Sequence, residues 1–272
     1  MTQEIGHYAL RGATGSLAVL LQGDPQGEAV VMTHSILSSS SMWDKQAEML
    51  ANRGFRVVRI DTIGHGRSEP PAAPLTMDDL AADTVAVLDA LQIAQAHYIG
   101  LSLGGMSGFG LGVHHINRLH SLVLCDARAD APPSVAAPWN ERIAVAERDG
   151  SCAPLADPTI ERWFGRQFLD SNPELAHQFR ATAAATSVLG FIACARAIQQ
   201  LDYLDLVGGI AAPSTLIVGQ NDGVLPDAMR ELQQHIPGAE LELIPDAGHL
   251  PNIDQPTAFN AALERHFKRC AA

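Results

Sequence analysis

The sequence predicts an α/β protein whose mostly parallel β-sheet carries helices on both faces. Seven short runs rich in Val, Ile and Leu recur along the chain, each of strand length. Amphipathic stretches with helical spacing of apolar residues, such as 77–93, lie between several of them. Alternation of strand and helix favours parallel pairing. The length of 272 residues, 47% of them hydrophobic, is enough for a large core domain.

The first two of the seven apolar runs are expected to form a β-hairpin. The seven runs span residues 16–23, 28–34, 55–61, 96–102, 119–126, 214–222 and 239–249. Only a short connection separates the first two runs, so we expect them to pair as antiparallel neighbours at the start of the sheet. The later runs lie far enough apart for a helix to cross between them.

One long segment, from about residue 127 to 211, has helical patterns but no convincing strand. It begins with "DAPPSVAAP" and ends near "GGIAAP", which are turn-forming compositions. We therefore predict a core domain formed by residues 1–126 and 212–272, with a helical cap inserted at 127–211. Insertions at the carboxyl ends of parallel strands are where such sheets bind ligands.

Composition excludes several function classes. The formal net charge of −12 disfavours nucleic acid or an anionic membrane as a partner. No apolar run reaches membrane-spanning length, and the first residues lack a secretory signal pattern. The four cysteines are scattered, as expected of reduced thiols in a cytoplasmic protein. A small-molecule partner is expected, and nothing in the sequence indicates or excludes a homo-oligomer.

The pentapeptide "GLSLG" places Ser102 between Gly100 and Gly104, after a strand and before a helix. This context predicts a nucleophile elbow, a turn so tight that neighbouring side chains would collide. The hydroxyl would then project at a helix N-terminus, where free N–H groups stabilise a developing negative charge. A chance match in a glycine-rich turn is the alternative.

A serine nucleophile needs a base, and the base needs an orienting carboxylate. His249 follows the last strand in a glycine-containing loop, whereas histidines such as His97 and His266 lie inside regular elements. Asp222 follows the penultimate strand, and the order Ser102, Asp222, His249 is the one this architecture uses. Asp126, at the end of the preceding strand, remains an alternative acid.

Two backbone N–H groups are expected to form an oxyanion hole. The first belongs to Leu103, directly after the nucleophile, and the second to Ile36 in the loop after the 28–34 strand. Ser35 is expected to add a hydroxyl to the same pocket as a substrate-binding residue. The sequence contains no H-E-x-x-H, no Cys/His cluster, no GxGxxG after the first strand and no Walker lysine. No metal and no cofactor are therefore expected.

These motifs together resemble the α/β-hydrolase fold and, within it, the 3-oxoadipate enol-lactonase-like group. The resemblance spans nearly the whole chain, from "HSILSSSSMWDKQ" and "GLSLGGMSG", through cap segments such as "WNERI", "ERWF" and "CARAIQQLDYLD", to "AGHLPNIDQP". It departs at His34, where the lactonases often have Asn. The resemblance implies an eight-stranded sheet with the cap inserted after the sixth strand.

The resemblance also implies hydrolysis of a small lactone or ester through an acyl-enzyme, with a carboxylated enol-lactone of aromatic catabolism as one candidate. For a substrate carboxylate we expect Arg128, unless Arg128 forms a salt bridge with Asp126 or Asp130 instead. Trp139 in the cap and Met106 on the elbow helix are candidate pocket residues. Trp163 is expected only to pack.

Three other activities remain open for this sequence. The same triad would support carbon–carbon hydrolysis of ring-fission products, general carboxylesterase activity or a cofactor-free haloperoxidase-like reaction. A different class is a ligand-binding receptor that keeps a vestigial hydrolase activity.

Overall fold

The computed structural model describes residues 5–271 and contains one eight-stranded sheet with strand order β1-β2-β4-β3-β5-β6-β7-β8. Its strands are β1 (Gly6–Arg11), β2 (Ser16–Gly23), β3 (Ala29–Thr33), β4 (Arg56–Ile60), β5 (Ala96–Leu101), β6 (Leu119–Cys125), β7 (Ser214–Gly219) and β8 (Glu240–Ile244). Strands β3 to β8 are mutually parallel, and β1 and β2 are antiparallel to their neighbours. The prediction of a mostly parallel, eight-stranded α/β sheet is confirmed.

Twelve α-helices lie among residues 5–271. They are α1 (Asp44–Ala51), α2 (Met77–Ala90), α3 (Leu103–His114), α4 (Pro133–Ala136), α5 (Pro138–Asp149), α6 (Ala153–Phe164), α7 (Arg166–Ser171), α8 (Pro173–Ala185), α9 (Val188–Gln199), α10 (Leu225–Gln233), α11 (Pro251–Asp254) and α12 (Pro256–Cys270). Local chemistry explains several starts. The hydroxyl of Thr76 accepts from the Asp79 N–H and the Asp79 carboxylate caps Thr76 in return, so α2 begins at a capping box.

The expected hairpin between the first two runs is wrong. Strand β2 pairs antiparallel with β1 on one side and with β4 on the other, and β3 lies between β4 and β5. All five residues of β3 are buried, so the strand needs a central position in the sheet. The hairpin is instead closed by β1, whose mostly exposed edge residues give no apolar run to recognise. Its turn is fixed by the Gly12 N–H donating to Gly15 O at 2.8 Å.

The central strands are apolar along their whole length because helices cover both faces. Every residue of β5 and of β7 is buried. Helices α2 and α3 pack on each other, while α1 and α12 are joined by the hydrogen bond from Gln46 Nε2 to Asn260 Oδ1 at 2.9 Å. The predicted catalytic residues, which are polar, lie in the loops and turns that follow these buried strands.

The segment between β6 and β7 contains the six helices α4 to α9 and no strand, so the insertion after the sixth strand is confirmed. It is anchored to the core where Ser187 N–H donates to Gly64 O at 3.1 Å. There the backbones of Gly64 and Gly190 meet so closely that a Cβ on Gly190 would lie 2.5 Å from Gly64 Cα. The division into 1–126 with 212–272 and 127–211 stays a prediction, and residues 1–4 and 272 lie outside the described chain.

No single helix of the described chain combines the length and apolar character that crossing a membrane requires. Helices α8 and α9 meet these criteria only as a pair, bent by 90°.

Candidate active site

Ser102 lies at the sharp turn between β5 and α3. Its backbone angles, φ 54° and ψ −111°, are rare for a residue with a side chain, and such strain is concentrated at functional turns. The turn is held by the Ser102 N–H, which donates to Cys125 O at 2.8 Å, and by the Met106 N–H, which donates to Ser102 O at 2.8 Å. The sequence pattern of a nucleophile elbow therefore coincides with elbow geometry.

The flanking glycines are required by close backbone contacts. A Cβ on Gly100 would lie 2.3 Å from Gly104 O, and a Cβ on Gly104 would lie 2.4 Å from Thr33 Oγ1. Both distances are well inside van der Waals contact. The strand, the turn and the neighbouring β3 therefore fit together only when positions 100 and 104 have no side chain.

His249 lies in the loop between β8 and α11 and is buried with Asp222. Its Nδ1 forms a 2.6 Å hydrogen bond with Asp222 Oδ2. The backbone N–H of His249 donates to Trp163 O at 2.8 Å, and the Trp163 ring stacks on the imidazole at 6.4 Å. Trp163, expected only to pack, thus fixes the histidine loop from the end of cap helix α6.

Asp222 is poised to stay ionised. Burial raises its pKa, but the charge and hydrogen bond of His249 and the guanidinium of Arg162 outweigh burial, and the pKa lies below its usual value. Arg162 Nη2 is 3.7 Å from Asp222 Oδ1. An ionised carboxylate at Nδ1 fixes the imidazole tautomer that leaves Nε2 free to accept a proton.

Asp126, the alternative acid, occupies the same corner. It is completely buried, and its Oδ1 accepts the Gly219 N–H at 2.9 Å. Burial, followed by the nearby Asp222 charge, raises the pKa of Asp126 well above its usual value. Of the two acids, Asp222 is the one that is hydrogen-bonded to His249, and Asp126 lies beside it.

The predicted residues follow four consecutive parallel strands. Ser102 comes after β5, Asp126 after β6, Asp222 after β7 and His249 after β8, and these strands are neighbours in that order. The carboxyl ends of parallel strands meet at one edge of a sheet, so the fold gathers all four residues there. Within residues 5–271 no hydrogen bond joins the Ser102 hydroxyl to His249; in apo structures of enzymes, hydrogen bonds between catalytic groups are often long and tighten only when substrate binds.

Two backbone N–H groups that the sequence predicts to form an oxyanion hole, those of Leu103 and Ile36, have no hydrogen-bond acceptor in the described chain. Leu103 opens α3, where helix N–H groups have no intrahelical partner, and Ile36 belongs to the loop after β3. Both residues are buried. The Gly104 N–H donates to His34 O at 3.1 Å and ties the two loops together. The hydroxyl of Ser35 is also buried without a partner among the described residues.

His34 holds the Ile36 loop, a role that the sequence did not reveal. The Thr62 N–H donates to His34 Nε2 at 2.9 Å, so Nδ1 carries the proton and donates to Ser35 O at 2.8 Å. Burial lowers the pKa of His34, which favours this neutral form. Like an Asn side chain, the His34 side chain can therefore accept one hydrogen bond and donate another.

Besides Ser35, the proposed substrate-binding residues Arg128, Trp139 and Met106 are differently placed. Arg128 forms a 2.9 Å salt bridge with Asp130 and lines a surface groove, which is the alternative that the sequence left open. Trp139 packs within the cap, 6.3 Å from the Phe191 ring. Met106 is buried on the first turn of α3, which begins directly after the elbow.

Besides Arg128, the segment between β6 and β7 contains a second cation of interest, Arg142, which was not singled out from the sequence. Its Nη2 donates to Thr159 Oγ1 at 2.9 Å, and its guanidinium lies 4.9 Å above the Trp139 ring. Burial and the neighbouring Arg162 lower the pKa of Arg142 to about 10, and no carboxylate of residues 5–271 pairs with it. The sequence signal was "WNERI", in which helical spacing of three puts Trp139 and Arg142 on one face.

Among residues 5–271, two side-chain clusters contain metal-ligating residue types with one atom from each within 4.8 Å of the others. The first is Asp126, Asp222 and His249 at the proposed site. The second is His97, His266 and Cys270 at the opposite edge of the sheet. In the second cluster both nitrogens of His266 are hydrogen-bonded to hydroxyl groups, so a hydrogen-bond network accounts for it without an ion. The expectation that the protein needs no metal stays a prediction.

Comparison with known proteins places the chain in a family. Residues 28–256 match the family model of the alpha/beta hydrolase fold. The chain is 32% identical over 248 residues to 3-oxoadipate enol-lactonase 2 of Acinetobacter baylyi, covering 91% of each protein. It superposes on the enol-lactonase from Burkholderia xenovorans LB400 with a TM-score of 0.89 and 31% identity, covering 97% of this chain and 100% of that one. A thermophilic esterase from Thermogutta terrifontis matches with a TM-score of 0.89 and 26% identity, over 98% of this chain and 100% of the esterase. The chain belongs to the α/β hydrolase fold family.

Proposed function

We propose that this protein hydrolyses small esters or lactones, with Ser102 as nucleophile, His249 as general base and Asp222 as the acid that orients it. The observation that carries the proposal is the buried His249–Asp222 hydrogen bond at the sheet edge that also presents the strained Ser102. The sequence identity of 31–32% with enol-lactonases, over more than 90% of the chain, supports hydrolysis of the same class of bond.

The reaction follows from the charges at this edge. His249 removes the Ser102 proton as the hydroxyl oxygen attacks the carbonyl carbon, and Asp222 stabilises the resulting imidazolium. The negative charge that develops on the carbonyl oxygen is stabilised by the free N–H groups of Ile36 and Leu103. His249 returns the proton to the leaving oxygen. A water molecule, deprotonated by His249, then hydrolyses the acyl-enzyme and regenerates Ser102.

For the finer assignment we propose a carboxylated lactone, in which opening of an enol-lactone ring releases an enol that tautomerises to the ketone. Because Arg128 is already paired with Asp130, we assign the substrate carboxylate to Arg142 instead. Arg142 donates to Thr159, which lies one turn before Arg162 on α6, and Arg162 approaches Asp222. A partly desolvated guanidinium without a carboxylate partner favours an anionic ligand.

The test compares an anionic lactone with a neutral lactone of the same ring. Ser102→Ala is expected to abolish hydrolysis of both, and full retained activity would overturn the proposed function. Arg142→Met is expected to lower kcat/KM for the anionic lactone by about 10-fold to 100-fold, the effect of losing one charged hydrogen bond, and to spare the neutral one. Arg128→Met, which removes a cation paired with Asp130, is the matched control and should spare both.

A general carboxylesterase is the second candidate, favoured by the likeness to the Thermogutta terrifontis esterase. This candidate predicts that Arg142→Met changes anionic and neutral substrates equally, and that short acyl esters react faster than either lactone. Ring-fission diketones in the same panel test carbon–carbon hydrolysis.

A further inference from the structure

The site holds two carboxyl groups, of which the proposed reaction uses one. Strands β6 and β7 are paired in parallel with Cys125 opposite Ile217, so Asp126, which follows β6, lies beside the loop that carries Asp222. The Asp126 N–H donates to Ile217 O at 2.9 Å and fixes this arrangement. One oxygen of each carboxyl group and one ring nitrogen of His249 lie within 4.8 Å of one another.

Asp126 has one satisfied oxygen and one unsatisfied oxygen. Its Oδ1 accepts the Gly219 N–H, whereas Oδ2 is buried with no hydrogen-bond partner in the described chain. A carboxylate oxygen that is shielded from water and lacks a donor is expensive. A protonated Oδ2 is different, because it becomes a donor and the carboxylate of Asp222 is the acceptor beside it.

The surrounding charges place the proton on Asp126 and not on Asp222. Two buried carboxyl groups in contact cannot both ionise, and the environment decides which one does. His249 and Arg162 face Asp222 and hold its pKa low. The other titratable groups that raise the pKa of Asp126 are acidic, Asp222 first and then Asp254.

We infer that Asp126 is a protonated positioning residue and a reserve acid, which donates its hydroxyl proton to the Asp222 carboxylate and takes over His249 when Asp222 is lost. This inference rests on the proposed function. Without Asp222 the carboxyl group of Asp126 ionises, and its oxygen accepts the Nδ1 proton of His249. The backbone of Asp126 has a φ of 44°, a conformation that Asp and Asn tolerate better than most residues, so Asn is a matched replacement that cannot ionise.

The first experiment compares the wild type with Asp126→Asn, Asp222→Ala and the double variant, using a neutral aryl ester across the pH range in which all four stay folded. Asp222→Ala should lower kcat/KM by about 10²-fold, and the double variant by about 10⁴-fold, the loss expected of a triad without its acid. The residual activity of Asp222→Ala should rise with pH as Asp126 ionises, and the double variant should lack that rise. Equal activity and equal pH profiles in these two variants would overturn the inference.

The second experiment detects the proton itself and does not depend on turnover. At neutral pH, the infrared difference spectrum between wild type and Asp126→Asn should contain the carbonyl band of a protonated carboxylic acid, and its absence would overturn the inference. Asp130→Asn, which removes a carboxylate paired with Arg128, is the control and should not remove the band. Retained activity in Ser102→Ala would sink the proposed function, whereas the infrared band would still report on Asp126.

Discussion

Two buried histidine clusters occupy opposite edges of the same sheet and behave differently. At the carboxyl edge, the Nδ1 atom of His249 bonds the Asp222 carboxylate at 2.6 Å. At the amino edge, the Ser121 hydroxyl lies between His97 Nδ1 at 2.6 Å and His266 Nε2 at 2.7 Å. Both clusters have a carboxylate neighbour, but at the amino edge it is the exposed Glu28, 3.4 Å from His97 Nε2, whereas at the carboxyl edge Asp222 is buried with His249.

The comparison shows that residue types alone do not make a reactive site. Burial, with a smaller effect of His97, lowers the pKa of His266 to about 4, so its imidazole stays neutral and structural. Ser121 lies within a regular strand, whereas Ser102 lies at a strained turn. Close backbone contacts fix the Ser102 turn at the carboxyl edge, whereas side-chain hydrogen bonds alone join His266 to Ser121 and Thr215 at the amino edge. A buried carboxylate partner and a strained backbone therefore distinguish a catalytic candidate from a core network.

The largest expected effect comes from replacing the serine of each cluster separately by alanine. Ser102→Ala should lower kcat by about 10⁶-fold, because it removes the nucleophile and leaves only binding and the oxyanion hole. Ser121→Ala, the matched change at the amino edge, should leave kcat within about threefold of wild type, within the scatter expected of a change remote from the site. Equal losses in the two variants would remove the functional distinction between the clusters.

The second effect concerns acid stability at the amino edge. The folded-state pKa of His266, about 4, lies below its ordinary 6.5, so the unfolded chain binds the proton first as pH falls. The stability tied to neutral His266 is complete above pH 6.5 and declines by about 3 kcal/mol as pH falls to about 4. His266→Gln should reduce the dependence of the free energy of unfolding on pH, measured by urea unfolding between about pH 4 and pH 7. An unchanged pH dependence of the free energy of unfolding would show that His266 is not the titrating group.

The third effect tests the backbone contacts at the carboxyl edge. Gly104→Ala should reduce the free energy of unfolding by about 1 to 3 kcal/mol and impair activity, because its Cβ would collide with Thr33. Gly209→Ala is the matched control, since a Cβ there meets no atom within 4 Å. Thermal unfolding and ester hydrolysis measure both variants, and a harmless Gly104→Ala would contradict the steric account of the elbow.

The fourth effect, which concerns stability alone, is the cost of removing the Ser121 hydroxyl at the amino edge. Ser121→Ala should lower the free energy of unfolding by about 1 to 3 kcal/mol, because it leaves a nitrogen of His97 and of His266 unsatisfied in the core. Urea unfolding at neutral pH measures this change. A fully neutral substitution would mean that the two imidazoles re-pair without the serine.

The sequence predicted the parallel α/β sheet and the insertion after the sixth strand because buried strands and crossover helices leave strong apolar periodicity. It missed β1 because that edge strand is mostly exposed, and it therefore placed the hairpin between the wrong strands. Ser102 and His249 could be singled out because glycine-flanked turns after strands are local patterns. Their catalytic roles remain predictions, as do those of Asp222, Ile36 and Leu103.

What the sequence determined by itself was local: which segments are strands and helices, and which turn requires glycine on both sides of a serine. The tertiary structure decided which acid meets His249, that Arg128 pairs with Asp130, that Arg142 has no carboxylate beside it in the described chain, and that Trp163 covers the histidine loop. The physical reason is that periodicity and turn chemistry act over a few neighbouring residues. Pairing, burial and the pKa shifts that follow depend on side chains brought together from strands and helices far apart along the chain.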